Sequence, residues 1–343
     1  MHATDVILRS LRRGGAALAL AVAIPVVPLA ALAADPAAVS FSHKDWALQC
    51  DNTRACSAVG YQAESGDSEP VSMRLTRAAG PDTAVQIDLQ VYSEKAGPAA
   101  LQLTAGRFRL SGLDGNSPQV PAAQVPHLLQ ELLRSEEAIV TAGKDRWVLS
   151  LAGTNAVLLK MDEVQGRLNT PGALVRKGIQ PESAVPPAVP APVVKSVKPV
   201  PARKADAPLA GPLLAAVGRA DLDGQCNGGP PDASDVKVHR LTDRKLLLEV
   251  PCGMGAYNFS SILFMANDRP PHQPRLLEDV DGEFDPATGE VRSAMKGRGI
   301  GDCWWMRTWR FDGKGFVLTG EQGDNMCRGF PGGAWQLPVY VTR

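Results

Sequence analysis

The chain has 343 residues with 36 basic and 36 acidic side chains, so its formal net charge at pH 7 is zero. A balanced charge gives no electrostatic reason to expect nucleic acid or anionic lipid as a partner. The six cysteines, of which Cys50 is the first, are typical of a chain that forms disulfides in an oxidising compartment.

Residues 1–33 predict a cleaved signal peptide. Three arginines precede an almost uncharged apolar run at 16–32, and Ala31-Leu32-Ala33 has the small residues that signal peptidase recognises. A membrane anchor is the alternative, but the run is short and contains two prolines. We therefore expect a periplasmic, or else secreted, mature chain that is soluble and has no membrane span.

Residues 41–180 predict an N-terminal β-rich domain. The stretches "VSMRLTR" (71–77) and "AVQIDLQVY" (84–92) alternate apolar and polar side chains, as half-buried strands do. One segment differs, because the leucines that follow Pro126 recur with the period of a helix and proline is tolerated in the first turn. This domain is therefore expected to contain one amphipathic helix.

Residues 181–212 predict a linker, because eight prolines fall between 181 and 210. Proline favours the extended polyproline II conformation, which makes such a segment a semi-rigid spacer. Its cations, Lys195, Lys198, Arg203 and Lys204, make it mildly basic. We interpret it as a solvated spacer, with contact to an acidic wall polymer as the alternative.

Residues 213–343 predict a C-terminal β-rich domain. A short helical run, "PLLAAVGRAD", is followed by alternating stretches such as "RKLLLEV", "SSILFMA" and "WWMRTWRF", separated by Asp- and Gly-containing turns. The pattern favours an antiparallel sandwich or a small barrel. The fold class of the whole chain is therefore mainly β with a few helices (α+β), as two disulfide-stapled domains.

The cysteines are expected to be structural. Cys50 and Cys56 flank a turn between two strand-like stretches and would face each other across a hairpin. The other four, Cys226, Cys252, Cys303 and Cys327, allow three pairings, of which pairing in chain order is the simplest. A four-cysteine zinc site is disfavoured because close-spaced couplets are absent, and we expect no metal or cofactor.

Signatures of enzymatic chemistry are missing from the sequence. There is no G-x-S-x-G motif, and the five histidines are scattered, without an H-E-x-x-H zinc motif. The acidic stretch "EDVDGEFDPATGE" (278–290) lacks the glycine that a calcium loop needs at its sixth position, and is interpreted as a solvated hairpin. The sequence therefore favours a non-enzyme and leaves an enzyme as the alternative.

Three tryptophans in "GDCWWMRTWRF" (301–311) are the strongest candidates for ligand contact. In a strand, Trp305, Trp309 and Phe311 share a face with Cys303 and are expected to be core, whereas Trp304 and Met306 lie on the opposite face. The ligand-contact candidates are Trp304, Met306 and Asp302 from this region, together with Trp335 further along the chain.

Several blocks of the sequence carry a resemblance to a known family. "DWALQCDNTRACSAVGYQ", "LLKMDEVQGRLNTPGALVRKG", "PCGMGAYNFSSILF" and "GDCWWMRTWRFDGKGF" resemble the DUF1176 family of exported bacterial proteins of unknown function. The N-terminal half is also loosely similar to invasion-associated locus B proteins. The resemblance implies a Gram-negative periplasmic or envelope location and a two-part β-rich body, and it transfers no catalytic residue.

Two function classes follow. The first is a binding or interaction module of the cell envelope, with an envelope protein or a cell-wall polymer as partner. The second is a cell-wall polysaccharide hydrolase that uses tryptophan and carboxylates of the C-terminal domain, for which two carboxyl groups should flank a tryptophan-lined cleft. The sequence does not give the oligomeric state.

Overall fold

The computed structural model describes residues 37–94, 100–218, 222, 226, 231–324 and 326–343. These residues belong to one compact unit, Pro36–Arg343. Within the described ranges the chain forms four antiparallel sheets and three α-helices, which confirms the mainly β fold class. The predicted signal peptide lies outside the described residues.

The N-terminal half contains two sheets. The first has the order β1-β2-β3-β4-β5, with bounds Val39–His43, Trp46–Cys50, Cys56–Tyr61, Val71–Arg77 and Val85–Val91. The second has the order β7-β6-β8-β9, where β6 to β9 span Ala100–Ala105, Phe108–Asp114, Glu137–Ala142 and Asp145–Ser150. Apolar faces of both sheets enclose one core.

Two helices complete this core, α1 (Val125–Leu132) and α2 (Thr154–Val164). The expected helix is present as α1 but ends at Leu132, because residues 133–136 turn the chain into β8. The second helix, α2, is missing from the sequence-based prediction. Its buried Val157, Leu158 and Met161 have helical spacing, so the signal was present in the sequence.

The C-terminal half also contains two sheets. The third sheet has the order β10-β11-β12-β13, with bounds Lys237–Arg240, Lys245–Met254, Phe259–Asn267 and Arg275–Asp281. The fourth has the order β14-β15-β16-β17-β18, with bounds Glu283–Asp285, Glu290–Lys296, Trp304–Phe311, Phe316–Gly323 and Leu337–Val341.

These two sheets pack face to face, as the sandwich prediction requires. Leu247 and Leu263 of the third sheet share a core with Val291, Trp309 and Phe311 of the fourth. The predicted helical run forms α3 (Ala210–Ala216), which covers the other face of the third sheet. Among the described strands each sheet is open at both edges, so the barrel alternative is not formed.

Three disulfides tie the strands together, Cys50–Cys56, Cys226–Cys252 and Cys303–Cys327. Cys50 and Cys56 are directly opposite each other in the β2–β3 hairpin, as expected. The remaining four cysteines pair in chain order. In the part of the chain that the structure describes, no helix is long and apolar enough to cross a bilayer.

The proline-rich segment 181–212, which we call the strap, is docked on the protein. The N–H of Val189 donates to the Thr53 carbonyl, and the N–H of Val197 donates to the Phe311 carbonyl at 2.7 Å. This differs from a solvated spacer, because the amides between the prolines find acceptors on other elements. The division into two domains stays a prediction.

The two halves also share a small core. Tyr61 and Val59 of β3 pack with Phe330, Trp335 and Leu337 from the C-terminal end of the chain. We call this contact the seam. It joins the first sheet to the fourth.

Candidate functional site

Alternation along β16 separates a core face from an outer face. Trp309 and Phe311 are buried in the sandwich core. Met306, Thr308 and Arg310 line a cavity of about 670 Å³ on the outer face of the fourth sheet. The outer face of β16 is therefore the one that can meet a ligand.

This cavity, the arginine groove, is rich in cations. Its floor and walls are formed by β15 to β17, and the strap residue Val194 and Arg343 complete one side. The charged side chains that line the groove are Arg292, Arg307, Arg310, Arg343 and Glu290. Arg307 is paired with Glu321 at 3.1 Å, so three further guanidinium groups against the Glu290 carboxylate make the groove a positively charged surface.

Glu290 fixes two of the arginines. Its side chain is almost completely buried, and Arg310 Nη2 lies 2.5 Å from its Oε1. Arg292 Nε donates to its other oxygen, Oε2, at 2.9 Å. The guanidinium groups themselves stay accessible, since the Arg292 and Arg310 side chains are 65% and 47% exposed. One buried acid thus orients two cations toward the groove.

The groove continues along the β15–β16 ladder. Arg292 is opposite Thr308, Ala294 is opposite Met306, and Lys296 is opposite Trp304. Lys296 Nζ lies 5.1 Å from the centre of the half-buried Trp304 ring. The outer face therefore passes from arginines through Met306 to a cation and a tryptophan.

The strap forms the far rim of the groove. The N–H of Val194 donates to the Arg343 carbonyl at 3.0 Å, and the N–H of Arg343 donates to the Pro192 carbonyl at 2.9 Å. These bonds hold Arg343 through its main chain and leave its side chain to line the groove.

Asp302 is placed apart from the groove, in a loop held by the Cys303–Cys327 disulfide. It is buried, accepts hydrogen bonds from Arg298, and accepts another from the Gly329 N–H at 2.7 Å. Burial alone would raise the pKa of Asp302, but these hydrogen bonds outweigh it and hold the pKa below its usual value. Its carboxylate is occupied within the protein.

Trp335 lies in the seam and is buried. Its indole N–H donates to Ser72 Oγ at 2.7 Å, and the Arg74 guanidinium carbon lies 4.2 Å from the ring centre. Both partners belong to β4, so Trp335 fastens the C-terminal end to the first sheet. Trp335 is therefore a packing residue.

Trp305 differs from the expectation that it belongs to the core. It is on the same face as Trp309 but is 37% exposed, and lies outside the cluster that Trp309 and Phe311 join. The sandwich core ends before it reaches this end of β16. The alternation of side chains along β16 assigns Trp305 to the correct face of the strand, but it does not show how far the opposing sheet extends.

Of the four sequence candidates, the structure brings Met306 and Trp304 onto one surface, and places Asp302 and Trp335 elsewhere. The sequence analysis did not identify Glu290 or the arginines of the groove. Arg310 lies on the same face of β16 as Met306, and only pairing with β15 brings Arg292 and Glu290 beside it. In the ranges that the structure describes, no group of three or more His, Cys, Asp or Glu side chains could hold a metal ion.

Comparison with known proteins gives one family. Residues 40–343 match a protein family described as "Protein of unknown function (DUF1176)". The chain is also similar to the uncharacterized protein YpfG of Escherichia coli strain K12, with 28% identity over 353 residues that cover 93% of this chain and 96% of that protein. No solved structure is significantly similar to the chain.

Proposed function

The chain belongs to the DUF1176 family, and on that premise we propose a function from its own geometry. The protein is a non-enzymatic binding protein of the bacterial cell envelope. Its arginine groove binds a cell-wall polymer that carries carboxylate or phosphate groups. The observation that carries this proposal is the buried Glu290, which orients Arg292 and Arg310 while both stay accessible.

The chemistry of the groove supports an anionic ligand. A guanidinium group donates two parallel hydrogen bonds, which match the two oxygens of a carboxylate or phosphate. Glu290 accepts some of these hydrogen bonds. Because it already restricts both arginine side chains, they lose less conformational entropy when a ligand binds. Arg343 adds a third accessible cation at the opposite rim.

The shape of the surface supports a chain-like ligand. From Glu290 to Lys296 the β15–β16 ladder runs for about 20 Å at the usual rise per strand residue. Cations at one end, Met306 in the middle, and Lys296 with Trp304 at the other end offer repeated polar and apolar contacts. Such a track suits a polymer of alternating charged and ring-shaped units.

Location in the envelope rests on two features. The signal-peptide pattern of residues 1–33 directs export, and three disulfides are typical of an oxidising compartment such as the periplasm. A wall polymer is accessible to a protein in that compartment.

The hydrolase alternative receives no support from the residues it would use. Trp335 is buried against Ser72, and Asp302 is held by Arg298. Of the other carboxylates near the tryptophans in sequence, Asp324 accepts a hydrogen bond from Tyr61 within the seam, and Glu321 is paired with Arg307 at 3.1 Å. These side chains hold the protein together and do not line the groove.

Co-sedimentation with purified peptidoglycan tests the proposal. The variant is Arg292→Ala with Arg343→Ala, because Arg310 then still neutralises the buried Glu290. Loss of two charge-assisted contacts should weaken binding by at least roughly tenfold. The matched control is Arg107→Ala with Arg244→Ala, which removes two exposed arginines outside the groove and should bind as the unchanged protein does.

Salt dependence and competition by polyanions distinguish electrostatic binding from non-specific adsorption. Binding should weaken as ionic strength rises, and a soluble polyanion such as polygalacturonate should compete whereas neutral dextran should not. No binding by the unchanged protein, or equal losses in the groove variant and the control, would contradict the proposal.

A further inference from the structure

Six large apolar side chains are exposed together at one end of the C-terminal sandwich. We call them the tip patch, and its members are Met254, Tyr257, Phe259, Met295, Ile300 and Trp305. Met254 and Phe259 are 76% and 78% exposed. Soluble proteins seldom leave such a set uncovered, so the patch indicates a contact surface.

Known contacts place these residues beside one another. Met254 and Phe259 are opposite each other at the end of the β11–β12 hairpin, and Met295 is opposite Trp305 in the β15–β16 ladder. Asn258, in the turn of the hairpin, exchanges hydrogen bonds with the main chain of Lys296 in both directions. The hairpin tip is thereby fixed to the end of β15.

The loop after β15 completes the patch. A Cβ atom built on Gly299 would lie 3.1 Å from the Tyr257 ring, so the ring packs directly on the glycine main chain. Ile300 follows in the same loop and is about half exposed. Two chain segments, 254–259 and 295–300, therefore present the apolar side chains from a shared tip.

The tip patch is distinct from the arginine groove. Met295 and Trp305 lie on the core-facing side of the fourth sheet, beyond the point where the core ends, whereas the groove lies on the outer side. No member of the patch lines the groove. An inference about the patch therefore does not depend on the proposed function.

We propose that the tip patch inserts into the surface of a lipid bilayer. The hairpin segment 252–263 has no charged side chain, so it can enter an apolar layer without the cost of burying a charge. Tyr257 and Trp305 have the amphipathic rings that favour the boundary between headgroups and acyl chains. Short apolar segments of this composition lie in the interface rather than span the bilayer.

Charge at the patch favours anionic headgroups. Lys296 and Arg298 lie in the segment that carries Met295 and Ile300. Arg298 is paired with Asp302, so Lys296 carries more of the local attraction. The exposed acids Glu278 and Asp279 belong to β13 and not to either tip segment. The neutral net charge of the whole chain gave no reason to expect anionic lipid, because it averages over these local cations.

Patch size favours a membrane over a second copy of the chain. A stable protein interface uses roughly 20–30 residues from each partner, whereas the patch has six. In the described part of the chain, four cavities are lined by other residues, and the patch residues instead protrude, with Met254 and Phe259 more than three-quarters exposed. A few protruding apolar side chains are sufficient for reversible attachment to a bilayer.

Vesicle flotation with the mature chain tests the inference. Vesicles of phosphatidylcholine with phosphatidylglycerol should carry the protein, and pure phosphatidylcholine should carry less. Met254→Asp with Phe259→Asp should lower the partition coefficient at least tenfold. The matched control is Ile179→Asp, since Ile179 is a fully exposed apolar residue outside the patch, and it should leave partitioning unchanged.

Fluorescence gives a second readout that does not depend on introducing a charge. Trp305 emission should shift to shorter wavelength on vesicle binding, and the shift should disappear in Trp305→Phe while flotation persists. The groove variant Arg292→Ala with Arg343→Ala should still float, which separates this inference from the proposed function.

Three results would overturn the inference. The first is no flotation with either vesicle. The second is equal flotation of the Met254→Asp, Phe259→Asp variant and the unchanged chain. The third is a dimer in light scattering that the same variant converts to a monomer, which would assign the patch to a second copy.

Discussion

The hydroxyl of Tyr61 donates a hydrogen bond of 3.0 Å to Oδ1 of Asp324, and this contact joins β3 to the end of β17 across the seam. Arg328 adds an ion pair with Asp45 at 3.1 Å. The seam is therefore a small apolar cluster joined by polar contacts, and burial raises the pKa of one of its acids, Asp324.

Asp324 should give stability a distinctive pH dependence. Burial raises its pKa to about 6, so the folded state binds a proton that the unfolded state releases at lower pH. Stability contributed by this group should therefore fall as pH rises from about 4 to about 6, by up to about 3 kcal/mol, and then level off. Urea unfolding of the unchanged protein and of Asp324→Asn across this range measures the effect.

Asparagine keeps the acceptor for Tyr61 and removes the charge. Asp324→Asn should therefore gain stability over the unchanged protein as pH rises, with the difference constant above about pH 6. A difference that does not change with pH would show that the carboxylate ionises without cost in the folded state.

Trp335 and Ser72 should be energetically coupled. Ser72→Ala leaves the buried indole N–H without an acceptor, at a cost of roughly 1–3 kcal/mol. Trp335→Phe removes the donor but keeps a ring in the seam. The double variant should therefore be less destabilised than the sum of the single variants, as chemical denaturation in a double-mutant cycle would show. Simple additivity would mean that the hydrogen bond contributes nothing.

Asn52 should hold the last strand in place. Its side-chain amide donates to the Val341 carbonyl at 3.1 Å and accepts from the Val341 N–H at 2.8 Å. Asn52→Ala should lower the free energy of unfolding by roughly 1–3 kcal/mol and speed hydrogen exchange at Val341. Asn52→Asp, which keeps the acceptor alone, should have an intermediate exchange rate, and unchanged exchange in both variants would contradict this role.

The strap should be anchored by an ion pair. Asp206 and Arg240 are both buried, with Arg240 Nη2 at 2.5 Å from Asp206 Oδ1. Removal of Asp206 would leave Arg240 with Asp268, 3.3 Å away, as its remaining carboxylate partner. Because Arg240 keeps Asp268 as a partner, Asp206→Ala should lower the free energy of unfolding by roughly 1.5–3 kcal/mol, as expected for lost hydrogen bonds to a charged group. Limited proteolysis should then cleave within 181–212, whereas the exposed-site control Lys204→Ala should remain resistant. Equal resistance of both variants would show that other contacts suffice.

The strands could be predicted well from the sequence because their signals are local. β4 and β16 occupy the residues that the alternation indicated, and the Cys50–Cys56 hairpin follows from a turn between two such stretches. α2 was missed although its buried residues have helical spacing. Local patterning was thus sufficient for most elements.

The candidate site could be predicted only in part. Alternation assigned Met306 to the accessible face, but the groove exists because β15 brings Glu290 and Arg292 beside it. The expectations for two tryptophans were the reverse of what the structure has. Trp335 is buried by a sheet from the other half of the chain, whereas Trp305 is exposed because it lies beyond the end of its core. Such long-range packing leaves no mark in a local pattern.

Hydrogen exchange with and without soluble peptidoglycan fragments is the sharpest test of polymer binding in the arginine groove, because it reports where the ligand binds. We expect slower exchange in 290–296 and 304–310, and the Arg292→Ala, Arg343→Ala variant should need at least roughly tenfold more fragment to reach the same protection. Protection confined to other segments, or no protection at fragment concentrations that saturate binding, would contradict this expectation.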